Sequence, residues 1–249
     1  MNKKIANRIK ILVVVGILAV LSVGGIRAYM TDHETAANEF TIGKVDFNLY
    51  ETSWDGELPD GTYIATAANA LGKNQAKNLY SGQVIPKDPA IKNNSKNDAY
   101  VRMEVRIPVA EVVAADRYGN ILNNGEPIET ELFSYVENTG TGMRQVPGSP
   151  RVEYATPSTP GIATPSTAQR VYHVYEYEYT GGGSTEIPLP AGQDILPLFN
   201  EVIFANIVDG EVEAETEFIH VSFKAIQSGG FDSPEEAWDA YARQNPKRE

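Results

Sequence analysis

Apolar and polar residues alternate in several short stretches of this chain, and this period of two predicts β-strands with one buried face. The predicted strands span residues 44–50, 100–109, 171–179, 202–208 and 217–226. The side chains expected to face a core include Val45, Phe47, Leu49, Val101, Met103, Val105, Ile107, Ile219, Val221, Phe223 and Ala225. Turn residues such as Asn124-Gly125 and Gly181–Gly183 separate these strands. Many short strands separated by such turns predict an all-β fold, either an antiparallel sandwich or a jelly roll.

One helix is well marked near the C-terminus. Ser233 is a suitable N-cap, a proline follows at the first helical position, and Glu236 completes a capping box. The helix is expected to end near Arg243 and to dock on the sandwich through Trp238 and Tyr241, which are one turn apart. Weaker helical patterns fall at residues 66–78 and 109–116. The predicted fold class is therefore an all-β, antiparallel jelly-roll-like β-sandwich with a short C-terminal helix.

The N-terminus has the pattern of a secretory signal peptide. Basic residues between Lys3 and Lys10 precede an uncharged apolar run of 16 residues, 11–26, which is short of the roughly 20 that span a bilayer as a helix. Ala28 supplies a small residue for cleavage, so the predicted cut lies between Ala28 and Tyr29. The alternative is an uncleaved anchor. We expect residues 1–28 to be a signal peptide and residues 29–249 to form one jelly-roll-like domain.

The charge of the chain limits the partners that it can have. The 249 residues carry 21 basic and 33 acidic side chains, a formal net charge of −12. Residues 1–28 hold five basic residues and no acidic one, so the remainder has 16 basic and 33 acidic residues, or −17. Such an acidic body is not expected to bind nucleic acid. The absence of cysteine excludes disulfides, thiolate zinc sites and a cysteine nucleophile.

A proline-rich span interrupts the strand pattern. Five prolines fall between residues 147 and 165, and the sequence ATPST occurs at Ala155–Thr159 and again at Ala163–Thr167. Alternating prolines favour an extended, solvated spacer. We therefore expect a loop or insertion at about residues 140–170. It is either a glycosylated or binding loop, or an insertion without a function of its own.

Motifs for catalysis are missing from the sequence. The chain has three histidines, His33, His173 and His220, and no pair with the four-residue spacing of a zincin helix. No nucleophile elbow and no phosphate-binding loop before a helix is present. Acidic residues at 211, 213, 215 and 217, and a polar loop at 93–98, could attract calcium or simply be a solvated face and a turn. We expect no enzyme, no cofactor and no metal.

Motifs near the N-terminus resemble a known family. The stretch GGIRAYMTDHETAANEFTIGKVDFNLYE, residues 24–51, is similar to the start of the camelysin/TasA-like family, with Met30 where an aromatic residue is usual. The segments 79–102 and 225–238 also resemble segments of proteins in this family. The resemblance implies a protein exported by a Gram-positive bacterium, located outside the cell or on its surface, whose leader is cut by a SipW-type signal peptidase. It also implies a jelly-roll-like sandwich. Some members are classed as metallopeptidases.

The resemblance and the strand pattern together suggest how the chain could assemble. The segment Tyr29–Phe40 is expected to be mobile after cleavage and to be followed by a strand that a neighbouring subunit can accept. The donor-strand residues are Phe40, Ile42, Val45, Phe47 and Leu49. Such a head-to-tail contact does not close, so it produces a fibre. Expected partners are further copies of the chain, the signal peptidase and accessory matrix proteins. Three function classes remain: a matrix or filament subunit, a non-polymerising surface-binding or accessory protein, and a metallopeptidase.

Overall fold

The structure is a computed structural model that describes residues 31–33, 45–62, 71–76, 79–155, 170–208 and 219–246. The first strands are β1 (Thr31–His33), β2 (Phe47–Tyr50), β3 (Val84–Pro86), β4 (Ala90–Asn93), β5 (Ala99–Val112), β6 (Ile128–Glu131) and β7 (Phe133–Tyr135). They are followed by β8 (Met143–Gln145), β9 (Arg151–Ala155), β10 (Arg170–Tyr179), β11 (Asp194–Ile195), β12 (Glu201–Phe204) and β13 (His220–Gln227). The helices are α1 (Leu71–Gln75) and α2 (Pro234–Gln244).

The strands form three antiparallel sheets. Seven strands make a large sheet in the order β1-β13-β5-β10-β8, with β6 beside β5 and β9 beside β10. The long strand β5 is its centre, where Val105 lies opposite Tyr175 on one side and Val221 on the other. Two three-stranded sheets have the orders β11-β4-β2 and β3-β12-β7. All of these pairings are antiparallel, so the predicted mostly-β antiparallel architecture is confirmed.

One hydrophobic core joins the three sheets. The predicted inward residues of β5, from Val101 to Ile107, are fully buried. The ring of Phe47 on β2 lies 5.8 Å from that of Phe223 on β13, which connects a small sheet with the large one. Phe133 and Phe204 bring the third sheet into the same cluster. The large sheet therefore has an inner face toward this core and an outer face directed away from it.

The central strand is longer than the sequence pattern predicts. A strand was expected at residues 100–109 and a helix at 109–116, but β5 continues to Val112, which lies opposite Ile128 of β6. Isolated bridges at Ala114 and Ala115 extend the pairing further. The helix prediction is wrong because a second strand is available to pair with this apolar run. Of the predicted helix at 66–78, the described residues contain only α1.

The C-terminal helix agrees with its prediction. The Glu236 backbone N–H donates to Ser233 Oγ at 3.2 Å, which caps α2. The Glu236 carboxylate accepts from the Asp232 N–H at 2.9 Å, one residue earlier than in a standard capping box. Tyr241 packs with Tyr100 and Ile226, so the helix covers one end of the outer face of the large sheet.

The span from 140 to 170 contains two strands of the large sheet. Both β8 and β9 pair with β10 along the same edge, so the prediction of an irregular loop is wrong for these segments. Pro147 and Pro150 fall between the two strands, where they interrupt the edge without removing a donor from either strand. Residues 156–169, which include the second ATPST copy, lie outside the described residues.

Candidate functional site

The segment that follows the predicted cleavage site lies on the chain's own large sheet. Strand β1 pairs antiparallel with β13, with Thr31 opposite Ile226 and His33 opposite Lys224. The expectation of a mobile segment does not hold for these residues, because the edge of β13 offers backbone groups that β1 can bind. The proposed cleavage site, Ala28 and Tyr29, lies outside the described residues, as do the rest of the signal peptide and residues 34–44.

The structure places three of the five proposed donor residues in the chain's own fold. Val45 and Phe47 are buried, and Leu49 is half-buried against the same core. Strand β2 pairs with β4, so its backbone is also engaged. The alternation that suggests a donated strand equally suits a strand of the chain's own sandwich. Phe40 and Ile42 lie outside the described residues, and a donated segment must therefore end before Val45.

Strand β13, on which β1 lies, is well anchored. On its other side β13 pairs with β5 over eight residues, from His220 to Gln227. Phe223 and Ala225 are buried in the main core, and Ile226 packs under α2. A strand held in this way keeps its second edge in a fixed place, which is what an incoming strand needs in order to pair in one register.

A network of ion pairs covers the middle of the outer face, and we call it the charged face. Its members are Arg102, Glu104, Arg106, Arg144, Arg151, Glu153, Glu176, Glu178, Glu186 and Lys224. These are five cations and five carboxylates. The sequence predicts an exposed polar face for β5, and the alternating signs at residues 102, 104 and 106 are the only local signal of a network.

Glu104 is the centre of the charged face. Its residue is only 2% exposed, and its carboxylate contacts Arg106 Nη2 at 2.6 Å, Arg151 Nη2 at 3.2 Å and Lys224 Nζ. Burial alone would raise the pKa of Glu104, but the charges of Lys224, Arg106 and Arg151 outweigh it and lower the pKa to about 2. The carboxylate is therefore held ionised inside the protein, and its role is to bind strands together.

The charged face also fastens the C-terminal helix. Trp238 Nε1 donates to Glu186 Oε1 at 2.8 Å, and the Arg102 guanidinium lies 4.8 Å from the centre of the indole ring. Arg102 Nη2 contacts the other oxygen of Glu186 at 2.7 Å. Burial raises the pKa of Glu186 even though Arg102 opposes that shift. Helix α2 is thus attached both by apolar packing and by a buried hydrogen bond.

The tyrosine-rich strand β10 is internal to the large sheet, between β5 on one side and β8 and β9 on the other. The Tyr177 hydroxyl lies 2.8 Å from that of Tyr135 and donates to Glu137 Oε1 at 2.8 Å. Tyr175 donates to Glu131 Oε1 at 2.6 Å. Burial raises the pKa of all three tyrosines, so their hydroxyls stay protonated and act as donors.

The two histidines whose side chains the structure describes, His173 and His220, are both engaged with neighbouring side chains. His173 Nδ1 lies 2.8 Å from Glu131 Oε1 and Nε2 lies 3.3 Å from Glu129 Oε1, so its two carboxylates bind opposite ring nitrogens. His220 meets Tyr172 edge to face, with ring centres 5.6 Å apart. No group of three or more histidine, aspartate or glutamate residues within the described ranges is arranged to hold a metal.

Neither of the two calcium candidates gains support. The acidic positions 211–217 lie outside the described residues. In the polar loop, Asn93 Nδ2 donates to the Asn97 and Leu189 carbonyls, both at 3.1 Å, and Asn93 Oδ1 accepts from the Ser95 N–H at 2.9 Å. The amide is therefore used to hold the loop together, as in a structural turn.

No helix in the described ranges has the length and hydrophobicity needed to cross a bilayer. No protein-family model, curated protein or solved structure matches this chain. The likeness to the camelysin/TasA-like family thus depends on the motifs in residues 24–51, 79–102 and 225–238 alone.

Proposed function

We propose that this protein is an exported structural subunit of an extracellular matrix or surface filament of a Gram-positive bacterium, assembled by donation of its N-terminal strand. The observation that carries the proposal is the pairing of β1 with β13, directly after the predicted leader. Every copy has the same segment and the same edge, so a segment from one copy can replace that of its neighbour. The resulting contact is head to tail and extends into a fibre.

The donated segment has a defined limit. Val45 and Phe47 are anchored in the core of their own subunit, so donation is confined to residues 29–43. The donated strand is β1, and Phe40 and Ile42 belong to the segment that tethers it to Val45. Residues 34–44 connect β1 to this anchor, and an extended chain of that length reaches about 36 Å.

Export would control assembly in this scheme. While the leader is attached, the N-terminus stays at the membrane and donation is blocked. Cleavage between Ala28 and Tyr29 by a SipW-type signal peptidase releases the segment. Accessory matrix proteins with the same type of edge could join such a fibre.

The proposal includes a jelly-roll-like sandwich as the scaffold and no catalytic activity. The shared core of the large sheet and the two small sheets supports a two-layered arrangement. The geometry around His173 and the protonated tyrosines supports a structural role for the groups that might otherwise suggest chemistry.

The test is removal of residues 29–43 from the mature protein. We expect the variant to lose fibres in electron micrographs and to keep its circular dichroism spectrum, because the core begins at Val45. A variant lacking residues 247–249 is the control and should form fibres. Fibres that persist after the first deletion would contradict strand donation.

The alternative is a non-polymerising surface-binding or accessory protein, and the same β1–β13 pairing favours it if that pairing is permanent. In that case the mature protein forms no fibres at high concentration and its β13 amides exchange slowly with solvent. A metallopeptidase is the third candidate, and chelator-sensitive proteolysis by the pure protein would reveal it.

A further inference from the structure

Strand β9 is an exposed edge of the large sheet. It pairs with β10 on one side, and no other strand in the described residues lies along its second side. With five residues it is the longest edge strand that the structure describes. An edge of this kind presents backbone donors and acceptors that can pair with another chain.

The inner-face side chains of β9 carry no charge that would protect this edge. Natural proteins usually cover or interrupt an edge with charges, prolines or bulges. The neighbouring part of the same edge follows that rule, because residues 146–150, which join β8 to β9, include two prolines. On β9, by contrast, the inner-face residues Val152 and Tyr154 are 52% and 62% exposed. Two large apolar side chains on a regular edge favour a further strand beside it.

The sequence of β9 is complementary to itself in one antiparallel register. A two-fold axis through Val152 places Val152 opposite Val152 of the second copy and Arg151 opposite Glu153, twice. Tyr154 then lies diagonal to the second Val152. Shifting the axis by one residue to Glu153 would place two carboxylates opposite each other, which is unfavourable. Arg151 and Glu153 have side-chain exposures of 39% and 26%, so both can reach a partner.

The local charge also permits two copies to approach. The chain as a whole carries −12, which opposes association. The charged face beside β9, however, balances its five cations with five carboxylates. The charged face therefore adds no net charge beside the exposed edge.

We propose that β9 pairs with β9 of a second copy, antiparallel about a two-fold axis at Val152, to join two large sheets into one. This contact is isologous and closes after two copies, unlike head-to-tail donation. It uses a different edge from β13, so it exists whether or not the N-terminal strand is donated. If the protein forms filaments, the β9–β9 contact would link two of them side by side.

Cysteine cross-linking tests the register. The chain has no cysteine, so any disulfide must come from the introduced residue. In Val152→Cys the two Cα atoms would be about 5 Å apart, within disulfide range. In Tyr154→Cys they would be about 13 Å apart, because Tyr154 lies opposite Pro150. The experiment uses the mature full-length protein under mild oxidation, with dimers read on denaturing non-reducing gels.

We expect Val152→Cys to form dimers at least tenfold faster than Tyr154→Cys and than Val136→Cys, a control whose site is 77% exposed elsewhere. Equal rates of dimer formation in all three variants would mean that the disulfides form by random collision of the copies, and this would overturn the proposal. Faster reaction of Tyr154→Cys would overturn the register. Because the gel is denaturing, fibres formed through the N-terminal segment do not change the result.

A charge at the axis tests the interface without cross-linking. Val152→Lys places two ammonium groups opposite each other, and we expect light scattering to show a smaller mass than that of the unmodified protein. Val136→Lys should leave the mass unchanged. A Val152→Lys variant that keeps its mass would contradict the proposal, and a thermal-unfolding curve of each variant shows whether the fold is retained.

Discussion

Glu104 and Glu176 lie directly opposite each other on the neighbouring strands β5 and β10. Two carboxylates in that position would repel, but Arg151 on β9 contacts both, with Nη2 3.2 Å from Glu104 and Nη1 3.7 Å from Glu176. A third strand therefore neutralises a repulsion between the other two. The charged face depends on all of its strands being in register, which makes it a sensitive point in the stability of the large sheet.

Replacing Glu104 by glutamine should strongly destabilise the fold. The change leaves Arg106, Arg151 and Lys224 around a neutral buried amide, and breaking a buried ion pair by removing one partner typically costs about 3–5 kcal/mol. Urea denaturation at neutral pH measures the loss. Glu201→Gln is the control, because Glu201 is exposed, and we expect a change within about 0.5 kcal/mol. Equal stabilities for the two variants would show that the network contributes little.

Glu104 should also make stability depend on acidity. Its pKa falls from 4.5 to about 2 on folding, so its contribution is present above about pH 4.5 and is lost as the pH falls toward 2. The linked free energy is on the order of 3 kcal/mol. We expect the difference in unfolding free energy between the unmodified protein and Glu104→Gln to shrink over that range. A difference that stays constant from pH 5 to pH 2.5 would contradict the assignment.

Gly72 in α1 should not tolerate alanine. A Cβ there would lie 2.0 Å from the Pro86 carbonyl oxygen and 2.6 Å from Trp54 Cε3. Alanine favours a helix by about 1 kcal/mol over glycine, but overlap with a backbone oxygen requires a shift of the chain, and overpacking costs about 1–3 kcal/mol. We expect net destabilisation in thermal unfolding. Gly229→Ala, whose Cβ would meet only a flexible glutamine side chain at 3.5 Å, is the matched control.

Trp238→Phe tests how α2 is fastened. Phenylalanine keeps most of the ring but removes the donor to Glu186, and we expect a loss of about 1–3 kcal/mol because that carboxylate is buried. Tyr118→Phe removes a hydrogen bond with Arg117 at an exposed site and should change stability little. Chemical denaturation compares the two, and an equal effect would mean that the indole donor is not important.

The faces of the strands were predictable because burial on one side of a sheet imposes a local period of two. Val101 to Ile107 and the helix cap at Ser233 agree with that reasoning. The C-terminal end of β5 was not predictable in this way, since β6 supplies a pairing partner that no local pattern shows. Val45 and Phe47 show the same limit of local prediction. An apolar strand face is equally suited to donation to a neighbouring subunit and to burial in the core of its own chain.

The sequence alone determined which residues are strand-forming, which side chains of each strand are apolar, and where the last helix begins, because all three depend on residues within one turn or one strand. Only the tertiary structure decided that β1 lies on β13, that β9 is an edge strand among the described residues, and that Glu104 is buried among cations. The reason is distance along the chain: Glu104 meets Arg151 and Lys224 across separations of 47 and 120 residues. Contacts between such distant residues arise only when the sheets pair and pack.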